Sequence, residues 1–380
     1  MTWHSLDMKI FDSSLVKVGV GFAAGAILVG GISNAAPTIS PNTKVCVNSS
    51  NDLYLAKNGV CASNQRLVSI GGNSIDVSAI SAVAGPSVTS IQVRTINGSG
   101  SGSGWVYKSN LASTWIVTNS HVVEEAAQSS GGSIIVELNN GDQYSASIVG
   151  RDSNYDLAVI KISKGNLPEL SLGDSTKVVV GDPVVAIGSP LGLSSTVTSG
   201  IISALNRPVI TGNYGAESYV NAIQTDAAIN PGNSGGALLD GNGRIIGINS
   251  AIATLSSNGS ASGSIGLGFS IPISEAKRII DELISTGKST RPVLGIFFDT
   301  SYTGIGARIA RLSSGEGAEK AGIPAGSVIK SINGTKISDQ VAAIVKIRSF
   351  APGTTVSVTV ELPSGGNKTF SVKLGSAPSN

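Results

Sequence analysis

Two histidines occur in the 380 residues, and the one in Thr118-Asn119-Ser120-His121-Val122-Val123 is placed to act as a base. The other, His4, precedes an apolar segment near the start of the chain. Well downstream of His121 stands Gly232-Asn233-Ser234-Gly235-Gly236. A serine hydroxyl is a weak nucleophile at neutral pH until a neighbouring base takes its proton, and imidazole is the usual base. Glycine on both sides of Ser234 lets the backbone turn sharply and expose the hydroxyl. The amides of Gly232 and Ser234, with Asn233 between them, can then converge where a carbonyl oxygen gains negative charge.

Gly-x-Ser-x-Gly also fits the elbow of a different hydrolase class, in which the acid and then the histidine follow the serine. No histidine follows Ser234, so that order is excluded. The order His, Asp, Ser remains. Its third member has to orient the imidazole and stabilise its positive charge. The candidates are Asp142, Asp152, Asp156, Asp174, Asp182 and Asp226. Asp156 opens the apolar run Leu157–Ile162, whereas Asp142, Asp174 and Asp182 sit in turn-like text. Asp226 reads as support for the serine loop. Spacing alone does not choose among them.

The elements that must hold these residues are short. From about 82 to 272, apolar runs such as Ser87–Thr95, Trp115–Thr118, Ser133–Leu138, Val178–Ile187 and Arg244–Ile248 alternate with Gly, Asn and Pro. This spacing predicts an all-β barrel or sandwich, with enough chain for two small barrels. The run Asn97-Gly98-Ser99-Gly100-Ser101-Gly102-Ser103-Gly104 reads as a flexible loop within the first of them. A helix follows, with Ser274 capping its first turn, Ala276, Ile279, Ile280, Leu283 and Ile284 on one face, and Gly287 ending it. Arg291-Pro292 then opens a small α+β module with a helix expected over Ser338–Arg348.

Charged residues are 13% of the chain and the net charge is +2, with no dense Lys/Arg cluster, which argues against a nucleic-acid partner. Gly is abundant at 48 residues, and aromatics are 4%, so aliphatic side chains must fill the core. Val18–Ile32 carries no charge, follows Lys9 and Lys17, and precedes the small residues Ser33-Asn34-Ala35-Ala36. Residues 1–36 are therefore expected to be an apolar helix that directs export, either retained as a signal anchor or cleaved as a signal peptide. Outside the cytoplasm, Cys46 and Cys61 are expected to pair across a hairpin-like stretch turning at Asn58-Gly59. Closing a loop of about 15 residues is worth about 3 kcal/mol on the chain-entropy view. Two thiols without a nearby histidine make a poor metal site, and no metal or organic cofactor is indicated.

The segments T-N-S-H-V-V, D-L-A-V-I-K-I and N-P-G-N-S-G-G-A-L, in this order, resemble those of the HtrA/Deg serine proteases. So do Ala186-Ile187-Gly188-Ser189-Pro190-Leu191-Gly192, Thr196-Val197-Thr198-Ser199-Gly200-Ile201-Ile202 and Gly266-Leu267-Gly268-Phe269-Ser270-Ile271-Pro272. The resemblance covers about 82–376. It implies a mainly β protein with a chymotrypsin-like double β-barrel protease domain at 82–275, a linker helix at 276–290 and a PDZ domain at 291–376, after a stalk at 37–81. It further implies His121 as base, Asp156 as orienting carboxylate, Ser234 as nucleophile and Gly232, Asn233 and Ser234 as the oxyanion hole.

In this fold class the residue six before the nucleophile lines the primary substrate pocket. Here it is Ala228, grouped with Ile229, Asn249 and Ser250, and no carboxylate is available to attract Lys or Arg. Cleavage after small or medium aliphatic residues is expected. Val293-Leu294-Gly295-Ile296 is similar to the carboxylate-binding loop of PDZ domains, so Leu294, Gly295 and Ile296 are expected to meet a peptide C-terminus opposite Val341 and Val345, with Ile344 in the core. Ser327 stands where Asp is common, which is expected to alter a turn and leave the groove intact.

The expected function is an exported serine endopeptidase for unfolded or damaged proteins, recruiting peptide C-termini. It would be held at the cell membrane by a single span, or secreted after cleavage, and the resemblance implies a homotrimer. A peptide-binding, chaperone-like protein with little proteolytic activity is the alternative.

Overall fold

The computed structural model describes residues 43–48, 53–55, 61–62, 65–70, 75–96, 98–189, 196–211, 218–250 and 264–379. The expected export helix at 1–36 lies outside the described residues, as does the Asn58-Gly59 turn. Among the described residues no helix is long and apolar enough to cross a membrane. The chain divides into two units, Met1–Ser74 and Ile75–Asn380.

In the first unit β1 (Thr43–Val47) lies between β2 (Leu53–Leu55) and β3 (Arg66–Ile70), antiparallel to both. A disulfide joins Cys46 to Cys61, as expected, with their Cα atoms 5.5 Å apart. A sheet of three short strands is too small for a large core of its own, and a covalent staple offsets that.

The second unit opens with α1 (Val77–Ala84), capped by Asp76, whose Oδ1 accepts the Ala79 amide at 2.9 Å. Then come β4 (Val88–Thr95), β5 (Gly98–Ser109), β6 (Thr114–Thr118), α2 (Ser120–Gln128), β7 (Ser133–Glu137), β8 (Gln143–Asp152) and β9 (Leu157–Ile162). These strands close an antiparallel barrel in the order β4-β5-β6-β9-β8-β7. A second closed barrel, β10-β11-β12-β15-β14-β13, is built from β10 (Pro183–Gly188), β11 (Thr196–Thr211), β12 (Ser218–Thr225), β13 (Ala237–Leu239), β14 (Ile245–Ser250) and β15 (Gly268–Pro272). Closure leaves no unpaired sheet edge. Ile91, Ile116, Val136 and Ile160 fill the first barrel, and Val184, Ile202, Ile223 and Leu238 the second. Val117, Leu157, Val185, Ile187 and Leu239 pack in a further cluster that also takes in Trp105.

The Gly-Ser run corrects the sequence reading, since 98–104 is strand and not loop. Gly98 to Trp105 pair in unbroken register with Thr95 to Val88. Two of the glycines, Gly102 and Gly104, are needed for close approach. A Cβ at Gly104 would lie 2.6 Å from Ile116 Cγ2, and one at Gly102 2.6 Å from Val122 Cγ1. Composition alone shows flexibility here, whereas the barrel uses the missing side chains as space.

The helix α3 (Ile273–Thr286) starts three residues before the expected 276 and ends short of 290, and Ser274 lies inside its first turn and is not its cap. Ser175 fills that role, its Oγ accepting the Ser274 amide at 3.0 Å. Gly287, at φ +73°, ends the helix as expected. Ala276, Ile279, Ile280 and Leu283 are buried in the cluster around Leu157 and Ile245, so this connecting helix is part of the packed unit.

The C-terminal module contains β16 (Ser289–Val293), β17 (Ile296–Phe298), β18 (Ala307–Leu312), α4 (Gly317–Lys320), β19 (Val328–Ile332), β20 (Thr335–Lys336), α5 (Gln340–Arg348), β21 (Thr355–Glu361), β22 (Asn367–Lys373) and β23 (Gly375–Ser379). Its sheet runs β17-β18-β19-β21-β22, with β20 on β19, while β16 pairs with β23. Ala343 and Ile347 of α5 pack with Ile309, Ile329, Ile332 and Val358. The helix also contacts β11, β12 and β16. Ile344, expected in the core, is half-buried, and the buried residues of α5 are Ala343, Val345 and Ile347. A helix covered from two directions has no single apolar stripe, so periodicity misplaces its core face.

Candidate active site

His121 is the second residue of α2, directly after β6 and the N-cap Asn119. The Asn119 Nδ2 donates to the Asp156 backbone O at 2.9 Å, which ties the start of α2 to the turn between β8 and β9. Asp156 ends that turn at φ +53°, a left-handed conformation that costs a non-glycine residue on the order of 1 kcal/mol.

Asp152 holds the turn in shape. Its Oδ1 accepts the amides of Asn154 at 2.9 Å and Tyr155 at 3.2 Å and the Ser379 hydroxyl at 2.7 Å, while Oδ2 accepts the Ser289 hydroxyl at 2.5 Å. Burial pushes the Asp152 carboxyl above the usual carboxylate range, against the pull of those donors.

Both carboxylate oxygens of Asp156 lie 2.9 Å from His121 Nδ1, and Oδ1 also accepts the His121 amide at 3.1 Å. Asp156 is 2% exposed, whereas the His121 side chain is 22% exposed. A dry carboxylate thus backs a ring that solvent reaches, and the ring's Nε2 is the nitrogen that does not face Asp156. The other candidate carboxylates point elsewhere. Asp226 Oδ1 accepts the Ile201 amide at 2.7 Å, Asp182 Oδ2 accepts that of Val179, and Asp142 and Asp174 bond within their own turns.

The Ser234 loop is bracketed by Gly232 at φ +95° and Gly235 at φ +84°, a region closed to most L side chains. The Asn233 amide donates to Asn230 O at 2.9 Å, Gly235 to Asn249 O at 2.9 Å and Gly236 to Asn233 O at 3.0 Å. Among the described residues the Gly232 amide has no partner. A Cβ on Gly235 would lie 2.3 Å from Thr118 Oγ1 and 3.1 Å from the Asn119 amide. One on Gly102 would touch Val122 and also lie 3.2 Å from the Ser234 carbonyl. The loop and the start of α2 therefore meet at van der Waals distance where the two barrels join.

Of the four pocket residues, Ala228 keeps some surface, while Ile229 and Asn249 are fully buried. Ile229 packs under Gly268. The Asn249 amide is spent inward, with Nδ2 donating to Ala237 O at 3.0 Å and Oδ1 accepting the Ser270 hydroxyl at 2.9 Å. Ser250 turns its hydroxyl toward Asp156 Oδ2 at 3.5 Å. Sequence reasoning missed Ser103, which contacts the Ser234 loop through side chain and backbone. Its place in an alternating Gly-Ser run directly before a Trp-led strand was the available signal. Among the described residues no cluster of His, Cys, Asp or Glu is placed to hold a metal ion.

In the C-terminal module Leu294 is buried, and its carbonyl accepts the Ala318 amide at 2.9 Å. Gly295 leads into β17, the edge strand, whose first residue is the half-buried Ile296. Val341 is half-buried and Val345 buried. Ser327 is fully buried, directly before β19, and its hydroxyl has no partner among the described residues.

Two closed antiparallel barrels with a His–Asp pair and a glycine-bracketed serine where they meet define the chymotrypsin-like class of fold. The family described as trypsin-like peptidase domain matches residues 102–248. The chain is 45% identical over 310 residues to serine protease PepD of Mycobacterium tuberculosis, covering 79% of this chain and 66% of that protein. It is 38% identical over 302 residues to serine protease Do-like HtrA of Lactococcus lactis, covering 74% and 72%. A probable periplasmic serine endoprotease DegP-like of Chlamydia trachomatis is 42% identical over 266 residues, with 66% and 51% covered. The solved structure of the HtrA-type protease AlgW with tripeptide shares 34% identity and a TM-score of 0.60, over 80% of this chain and 98% of that one. The chain thus spans from 49% to 66% of the length of the first curated relatives it matches. It belongs to the HtrA/Deg family of serine proteases.

Proposed function

We propose that the chain is a serine endopeptidase with His121, Asp156 and Ser234 as its triad. The observation that carries the reading is the pairing of His121 Nδ1 with both oxygens of the buried Asp156 at 2.9 Å. Nε2 of His121 takes the Ser234 proton as Oγ attacks a peptide carbonyl. The oxyanion that forms is held by the amides of Gly232 and Ser234. When the C–N bond breaks, His121 returns the proton to the leaving amine, and a water deprotonated by the same imidazole then releases the acyl group. The conformational freedom of Gly232, and an amide with no partner among the described residues, support this assignment.

Ala228 is the pocket residue we assign to substrate, and its small apolar side chain favours small or medium aliphatic residues before the cut. The substrates are unfolded or damaged polypeptides, since a serine site needs an extended segment that a folded chain does not offer. We assign the C-terminal module a PDZ role, a peptide C-terminus pairing along β17 near Leu294, Gly295 and Ile296. The naming of relatives as periplasmic and the apolar run Val18–Ile32 support export, with the run as a membrane tether. A homotrimer follows from the family resemblance.

The test is digestion of a loosely folded protein by the full chain and by Ser234→Ala, with cut sites mapped by mass spectrometry. Wild-type cleavage after small aliphatic residues, absent from the variant, is the expected result. Wild type that binds the substrate without cutting it would leave the chaperone-like alternative, and cuts predominantly after Arg or Lys would remove the pocket assignment.

A further inference from the structure

Ser103 is fully buried in the middle of β5, on the barrel opposite the Ser234 loop, and it forms four hydrogen bonds outside its own sheet register. Its Oγ donates to the Gly232 carbonyl at 2.6 Å and accepts the Ser189 amide at 2.7 Å. Its backbone N–H donates to the Ser234 carbonyl at 2.8 Å, and its carbonyl accepts the Thr118 hydroxyl at 2.7 Å. One residue therefore binds the strand leading to His121, the end of β10, and both carbonyls that bracket Asn233.

We infer that Ser103 is a positioning residue for the oxyanion hole, an inference that rests on the reading of Ser234 as nucleophile. A peptide unit is planar, so fixing a carbonyl fixes the N–H that follows it. Holding the Gly232 carbonyl sets the Gly232–Asn233 plane, and holding the Ser234 carbonyl sets the Ser234–Gly235 plane. The plane that carries the Ser234 amide, one of the two oxyanion donors, lies between them. Glycine at 232 supplies little resistance of its own to rotation, so the restraint has to come from outside the loop. Without the hydroxyl, the buried carbonyl at Gly232 loses its donor and the buried amide of Ser189 loses this acceptor. An unpaired buried carbonyl is costly, and the Ser189 amide is its complement. The loop is then drawn toward Ser189, away from the geometry in which its amides converge. Donors must sit within hydrogen-bonding distance of the developing charge, and a displacement of about 1 Å costs on the order of 100-fold in rate.

The experiment compares wild type, Ser103→Ala, Ser103→Cys and Ser234→Ala, each as the full chain, on a fluorogenic peptide and with a matching peptide boronate. The boronate forms a tetrahedral adduct on the serine and places an oxygen in the hole. In Ser103→Ala, kcat is expected to fall about 10- to 100-fold with KM within about twofold, and boronate affinity to weaken in step with kcat/KM. Ser103→Cys keeps the bulk but donates weakly, so it falls between, and it decides the matter by the same readouts if the Ala variant does not fold. A kcat within twofold of wild type, or boronate affinity unchanged while only the melting temperature drops, overturns the inference. Retained activity in Ser234→Ala would instead overturn the nucleophile assignment.

Discussion

Arg348 in the last turn of α5 donates twice to Asn154, from Nη1 to the backbone O at 2.8 Å and from Nη2 to Oδ1 at 3.1 Å. Tyr155 returns the contact, its hydroxyl donating to the Arg348 carbonyl at 3.2 Å. The guanidinium also lies 5.8 Å from the Tyr155 ring centroid and 5.1 Å from that of Tyr219. The C-terminal module is thereby fastened to the short turn that ends in Asp156.

Removing that fastening should cost stability. Arg348→Ala is expected to lower unfolding free energy by about 2 kcal/mol, the range for charge-assisted hydrogen bonds. Arg348→Lys should recover only part, because an ammonium lacks the planar fork that spans both Asn154 oxygens. Urea unfolding of the three proteins reads this directly, and equal midpoints for Arg and Lys would show that charge alone matters.

Asp156→Asn tests the pairing with His121. The amide presents an N–H where Nδ1 needs an acceptor, or turns over and loses one of its two oxygens. A fall in kcat of about 10⁴-fold with an unchanged melting temperature is expected. Steady-state kinetics beside a thermal melt checks both halves of the statement.

Gly102→Ala should act through Val122. The added methyl would lie 2.6 Å and 2.7 Å from the two Val122 methyls, and a β-branched side chain in a helix has no second rotamer to use. The start of α2 must move, so a stability loss of about 1–3 kcal/mol is expected together with a lower kcat. Gly100→Ala, with open space around it, is the control and should leave kcat unchanged.

Glu275 makes the prediction for pH. Its Oε1 accepts Asn221 Nδ2 at 2.9 Å, and burial pushes its carboxyl up to about 7 from 4.5, with Asn221 and Lys346 pulling the other way. A raised folded-state value means that folding favours the protonated acid. That contribution is complete below about pH 4.5 and is lost as pH rises through about 7. Glu275→Gln, which cannot ionise, should match wild type at pH 4. At pH 8 it should be more stable by about 1 kcal/mol, a figure kept low because water still reaches the half-buried side chain. Denaturation at the two pH values measures the difference.

The barrels were legible because repeated Val/Ile runs broken by turn residues have few other solutions, and β9 shows why. Leu157–Ile162 reads as a strand from composition alone, and its polar first neighbour, Asp156, reads as a strand end. Contact of that aspartate with His121 could not be read from spacing, which sets Asp156 apart from the turn-like Asp142, Asp174 and Asp182 without pairing it to the histidine; the family resemblance supplied that pairing. The Gly-Ser run misled for a related reason. Small residues signal either freedom or tight packing, and only Val122 and Ile116 lying against Gly102 and Gly104 distinguish the two. Asn249 and Ser250 were read as pocket residues, and their side chains bond to Ala237, Ser270 and toward Asp156; such local choices leave no trace in spacing.

The pairing of β16 with β23 has a mechanical corollary. Ser289 lies opposite Ser379 and Val293 opposite Gly375, so the polypeptide enters and leaves the C-terminal module side by side. A tug on anything fused beyond Ser379 would open this ribbon rung by rung from that end, like a zip, and the first rung to part would take a hydroxyl away from Asp152.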